Sequence, residues 1–179
     1  FIEELSEAPD GALVVFSAHG VSPVVRAEAE ARGLRVVDAT CPLVTRVHRS
    51  VIKHAQDDRP IVLIGHAGHD EVVGTMGEAP RRVHLVETPA DVADLPLDDQ
   101  DEVAYVTQTT LGVDETAAVI EALQARFPNL LRPGKDDMRP GRKAIRVPVE
   151  EEVARWALYG SHVTRTAKGV RAPSMAFDA

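Results

Sequence analysis

The reactive side chains of this sequence are few. They comprise a lone cysteine, Cys41, two glycine-flanked histidines, His19 and His69, a carboxylate, Glu71, and a threonine, Thr109. Cys41 follows the apolar, β-branched stretch Leu34 to Val37, which reads as a short buried strand after the Arg32-Gly33 turn. Pro42 suits the first position of a helix, and Leu43, Val44, Val47 and Val51 continue at helical spacing. Cys41 is therefore expected at a strand-to-helix junction, where the helix dipole and free N–H groups favour a thiolate. Three uses stay open: a small buried hydrophobe, a nucleophile with His19 as base, or a ligand of a metal cluster. A cluster needs about three or four thiolates, and one cysteine alone cannot hold it.

His19 and His69 both follow predicted strands and precede predicted helices, where exposed backbone N–H groups gather anions. Two imidazoles there suit phosphate or diphosphate oxygens. A lone loop histidine is more often an ordinary surface residue, but Gly20 and Gly68 would let a ligand approach the backbone. His66-x-x-His69 with Glu71 has the composition of a zinc half-site, yet it falls on a loop and no second ligand cluster accompanies it. Glu71 can act as a general acid if its pKa is raised, or serve as a solvated helix-start carboxylate. Thr109 can offer its hydroxyl to a ligand or bond its own backbone.

The elements that must carry these groups alternate. Strands are expected at Ala12 to Ser17, Leu34 to Val37, Ile61 to Gly65, Val83 to Val86 and Val103 to Thr107. The first and third are apolar enough to be buried on both faces. Helices are expected from Val24 to Ala31 behind a Ser22-Pro23 cap, from Pro42 to about Gln56, briefly through Val72 to Met76, shortly after Thr88-Pro89, and from Asp114 to Phe127. This is an α/β pattern of parallel sheets with flanking helices and right-handed crossovers. Ligands bind such sheets beyond the carboxyl ends of the strands. Four of these ends carry polar or reactive residues: 17–20, 39–41, 65–69 and 107–110.

Composition sets the bounds. The 179 residues are 44% apolar and 27% charged, ordinary for a globular protein, with a net charge of −8 that argues against nucleic acid as main partner. No apolar run reaches the roughly 20 residues of a membrane span and no signal peptide opens the chain. A single cysteine excludes an internal disulfide, so a cytoplasmic location is expected. Charge is uneven: residues 1–138 carry 12 Lys and Arg against 24 Asp and Glu, whereas 139–179 carry 8 against 4. Within that basic tail, Val149, Val153 and Trp156 could share one helix face after Pro148, but the segment reads as poorly ordered.

Taken together, the segments Phe16-Ser17-Ala18-His19-Gly20-Val21-Ser22, Asp38-Ala39-Thr40-Cys41-Pro42-Leu43-Val44, Ile64-Gly65-His66-Ala67-Gly68-His69-Asp70-Glu71, Thr107-Gln108-Thr109-Thr110-Leu111 and Lys135-Asp136-Asp137 resemble the 4-hydroxy-3-methylbut-2-enyl diphosphate reductases. The resemblance covers residues 1 to about 138. It implies a part of a three-domain α/β architecture around a [4Fe-4S] cluster held by three cysteines. It also implies the reductive removal of an allylic hydroxyl, giving isopentenyl and dimethylallyl diphosphate. By resemblance, Cys41 is the middle cluster ligand and His19 and His69 hold the diphosphate. Glu71 is the proton donor, and Thr109 positions substrate and relays protons. Electrons would come from a ferredoxin- or flavodoxin-type donor.

The resemblance also marks departures. The family's first cysteine and a further histidine belong to a segment that would precede Phe1, and Arg139 stands where a third cysteine is expected. The reading is therefore the back half of a first domain (1–41), a second domain (42–134) and a divergent tail (135–179), expected to be inactive as a reductase. A reading-frame shift near Met138 would account for the tail. The alternatives are a non-catalytic diphosphate-binding or interaction module and, from another class, a thiol-dependent hydrolase using Cys41 and His19.

Overall fold

The computed structural model describes residues 2–131. The expectations for Arg139, for the helix after Pro148 and for the tail as a whole lie outside the described residues. After a short 3-10 turn at Leu5–Glu7, strands and helices alternate: β1 Leu13–Phe16, α1 Pro23–Ala31, β2 Arg35–Asp38, α2 Pro42–Gln56, β3 Ile61–Ile64, α3 Asp70–Glu78, β4 Val83–Val86, α4 Pro89–Ala93, β5 Ala104–Thr107 and α5 Val113–Arg126. All strand pairings are parallel, β1 with β2 in one sheet and β4-β3-β5 in another. The fold class is the α/β arrangement that the alternation implied.

Side-chain alternation on β3 explains the three-stranded core. Val62 and Ile64 face one way, with Val86, Tyr105 and the α5 residues Val119 and Leu123. Ile61 and Leu63 face the other, against Val47 and Val51 of α2 and Val72 of α3. All four β3 residues are buried, as a central parallel strand demands. Arg126 closes the first of these layers by donating to the carbonyls of Val92, Ala93, Leu95 and Leu97, satisfying backbone acceptors that have no strand or helix partner.

The small sheet departs from expectation. Val14 and Phe16 pack on Leu34, Ala29 and the 3-10 turn, but Leu13 and Val15 are 56% and 60% exposed, and every residue of β2 is exposed. Neither β1 nor β2 is buried on both faces. The reason is layer count: two strands covered by α1 and the turn on one side have nothing over the other among the described residues. The short helix expected at Val72 to Met76 is longer at both ends, because His69 caps it and Asp70 and Glu71 fill its first turn.

Candidate functional site

Each chemically interesting residue sits just past a strand end. The turn after β1 brings His19 round on Gly20, whose φ of +77° is open to glycine at little cost. Ser22 then caps α1 by accepting from the Val25 N–H at 3.4 Å. The turn after β2 is tied by Asp38, whose carboxylate accepts from the Thr40 hydroxyl at 2.5 Å and the Thr40 N–H at 2.9 Å. The Thr40 hydroxyl, first among these causes, holds the Asp38 carboxyl below the usual range.

Cys41 follows as the N-cap residue of α2, half-buried, with its thiol making no capping hydrogen bond. Its backbone N–H donates to the Ala18 carbonyl at 2.9 Å, which draws the Cys41 turn to the residue before His19. The strand-to-helix placement read from the sequence is the one observed. The buried-hydrophobe alternative fits poorly with a half-buried thiol.

After β3, Gly68 at φ +77° turns the chain into α3. His69 is the N-cap, and its Nδ1 accepts from the Glu71 N–H at 3.1 Å. That bond uses the Nδ1 lone pair, so the proton of a neutral His69 lies on Nε2, which is left to donate outward. The His19 and His69 rings meet edge to face, with centroids 5.2 Å apart. His19 Nδ1 lies 3.4 Å from a carboxylate oxygen of Asp70, leaving its Nε2 as the other polar edge. The two imidazoles expected to share an anion are therefore neighbours. His66 does not join them; its Nδ1 faces Glu87 at 3.6 Å and its ring is exposed.

Glu71 is 1% exposed and is engaged at both oxygens by one residue. Oε1 accepts the Thr109 N–H at 2.6 Å, and Oε2 accepts the Thr109 hydroxyl at 2.8 Å. Thr109 is half-buried, so its hydroxyl lies between the buried carboxylate and the outside. The solvated helix-start alternative for Glu71 is thereby overturned. Such a pair can pass a proton: a carboxylic acid donates to the threonine oxygen while the hydroxyl proton moves on to a bound acceptor.

Two features escaped the sequence reading. Gln108, 3% exposed, accepts the His66 N–H at 3.0 Å and donates to the Thr110 hydroxyl at 2.8 Å, tying the loop after β3 to the loop after β5. Strand alternation from Val106 would have pointed it inward. His48, 3% exposed, bonds through Nδ1 to Glu78 Oε1 at 2.7 Å. It lies on the Val44, Val47, Val51 stripe of α2, where an apolar-face count would have found it.

Comparison with known proteins identifies the family. The model of the LytB protein family matches residues 1–138. The chain is 59% identical over 138 residues to a 4-hydroxy-3-methylbut-2-enyl diphosphate reductase of Azoarcus sp. (strain BH72), a match covering 77% of this chain and 44% of that protein. It is 61% identical over 138 residues to the reductase of the same name from Bordetella pertussis, covering 77% and 42%. Among solved structures, the E-1-hydroxy-2-methyl-but-2-enyl-4-diphosphate reductase from Plasmodium falciparum superposes with a TM-score of 0.70 at 44% identity, covering 73% of this chain and 41% of that one. The chain thus spans less than half the length of the relatives it matches.

Proposed function

The chain belongs to the LytB protein family, and from that membership we propose that it binds an allylic diphosphate and supplies the proton-handling residues of a 4-hydroxy-3-methylbut-2-enyl diphosphate reductase. In this reading His19 and His69 present their Nε2 edges to the diphosphate at the start of α3, where the helix dipole adds to the attraction. Glu71 and Thr109 form the path that carries a proton from the buried carboxyl group to the leaving hydroxyl. The overall conversion is the allylic alcohol plus two electrons and two protons to isopentenyl or dimethylallyl diphosphate plus water. We assign the electrons to a ferredoxin- or flavodoxin-type donor and the setting to the cytoplasm.

The donor set does not fit the family's [4Fe-4S] cluster. The whole sequence contains one cysteine, and its half-buried thiol at the α2 N-cap is one ligand where about three are required. Cys41 could complete a cluster only alongside thiolates from elsewhere. On its own this chain binds the diphosphate and does not reduce it.

The observation that carries this reading is the meeting of two imidazoles 5.2 Å apart beside a buried carboxylate whose outlet is one hydroxyl. Titration with inorganic pyrophosphate, followed by ³¹P and ¹H–¹⁵N NMR, tests it. We expect weak binding, carried by the outward Nε2 edges of the two rings and by the start of α3. We expect the His19→Gln and His69→Gln variants to lose it. Pyrophosphate that perturbs neither ring, or binding that ignores both substitutions, refutes the pocket.

A further inference from the structure

Among the described residues, His48 is a buried titratable group that the mechanism above leaves without a task. His48 projects from the second turn of α2 into the seam where α1, α2 and α3 meet. Its Nδ1 is fastened to Glu78 at the far end of α3, whose side chain is 4% exposed. Arg26 of α1 approaches the same Glu78 oxygen at 3.7 Å. The opposite edge of the ring lies against Gly20, beside Val44: a β-carbon added there would sit 3.1 Å from His48 Cε1, 3.3 Å from Nε2 and 3.1 Å from Val44 Cγ1. The Gly20 carbonyl in turn rests on α3, where a β-carbon at Gly74 would lie 3.1 Å from it. Gly20 is therefore gripped between the His48 ring and the helix that begins at His69.

We propose that His48 is a positioning residue for the anion pocket: clamped to Glu78, its imidazole is the stop against which the Gly20 turn seats, and it sets the spacing of the His19 and His69 rings. The proposal rests on the reading of His19 and His69 as anion ligands, but its geometry can be tested without it. Desolvation, the larger effect, pushes the His48 imidazole below its ordinary value, with Glu78 opposing. His48 is then neutral, donates through Nδ1–H and turns the bare Nε2 lone pair to the interior, where it has no partner. The Arg26–Glu78 pair is partly exposed and adds little stability of its own. The directional His48–Glu78 bond instead orients the ring and couples the His19 turn to α3.

The test uses the full chain, isotope-labelled, and reads the cross-relaxation between His19 and His69 ring protons alongside pyrophosphate affinity. His48→Ala should abolish the ring-to-ring signal and weaken pyrophosphate at least about tenfold. His48→Gln, whose amide can still donate to Glu78, should keep the signal and most of the affinity. Gly20→Ala leaves Glu78 untouched, drives a methyl into the His48 ring and Val44 and strains the +77° turn, and it should lose the signal too. The proposal is overturned if the signal is missing from the unaltered chain, or persists in His48→Ala with native β3 and β5 amide shifts. It is equally overturned if His48→Gln behaves like His48→Ala. Should His48→Ala fail to fold, His48→Leu, which keeps bulk against Gly20 but cannot bond Glu78, decides: a retained signal refutes the proposal and a lost one supports it. Absence of pyrophosphate binding in the unaltered chain, with the ring signals behaving as stated, sinks the anion-ligand reading alone.

Discussion

Replacing Thr109 by valine preserves the side chain's shape and removes one hydroxyl. The hydroxyl is the 2.8 Å partner of Glu71 Oε2, while Oε1 keeps the Thr109 N–H at 2.6 Å. Glu71 is 1% exposed, so water does not readily replace the lost donor. A hydrogen bond to a charged group contributes about 1.5–3 kcal/mol, and the half-buried position of Thr109 argues for the middle of that range, about 2 kcal/mol. For about 130 folded residues, each kcal/mol is worth roughly 3–5 °C in Tm, so Thr109→Val should melt roughly 6–10 °C lower. Glu71→Gln behaves differently. Its carbonyl oxygen can accept the Thr109 N–H and its amide can donate to the Thr109 oxygen, so the loss should stay under about 1 kcal/mol. The double variant should show at least about 1 kcal/mol of coupling. Urea unfolding followed by circular dichroism, with the m-value unchanged, measures all three. A Thr109→Val loss below about 0.5 kcal/mol, or additive effects, would refute the Glu71–Thr109 linkage and with it the proton path.

Two further outcomes follow from packing and charge. A β-carbon at Gly77 would fall 2.3 Å from Ser22 Cβ, where α3 meets the start of α1, so Gly77→Ala should cost about 1–3 kcal/mol by urea midpoint; an unchanged midpoint would mean that the seam is loose. Burial also pushes His48 and His84 below the ordinary imidazole value. The folded chain then binds fewer protons than the unfolded chain just below about pH 6.5, so stability is full above that value and falls as pH drops toward the folded-state values. Urea midpoints at about pH 7.5 and about pH 5.5 should show the decline, and His48→Gln should reduce it; a midpoint that rises on acidification contradicts the burial argument.

Element order was legible in the sequence because the signals were strong and local. Ser22-Pro23 and Thr88-Pro89 start helices where N-cap chemistry says they should, and Ile61–Ile64 is too apolar and too short to be anything but a buried strand. Burial of the small sheet was not legible. Composition cannot distinguish a strand covered on both faces from one whose second face has no covering layer, and Leu13, Val15 and Val37 carry the same apolar code either way. Site membership was read from residue type at strand ends, which singled out Cys41, His19, His69, Glu71 and Thr109. Their hydrogen-bond partners were beyond that method. Gln108 and the His48–Glu78 pair join residues 42 and 30 positions apart, and no local pattern encodes such a pairing.

Those unforeseen contacts explain how the foreseen residues come to act together. The start of α3 contributes both the cap His69 and the buried carboxylate Glu71 two residues on, so a single helix start fixes their separation. His19 and Thr109 arrive on loops from β1 and β5 and must be held against that helix start. Thr109 is held by Glu71 itself and by the neighbouring Gln108, whose carbonyl oxygen takes the His66 N–H. His19 is held through Gly20, wedged between His48 and Gly74. The chain is acidic, with Asp70 itself 3.4 Å from His19, so net charge cannot gather an anion here. Only oriented N–H donors and a helix N-terminus can, and both depend on angle and distance more than on charge. That dependence is why, on the proposed anion-binding reading, the buried braces around α3 matter more than a patch of lysines and arginines would.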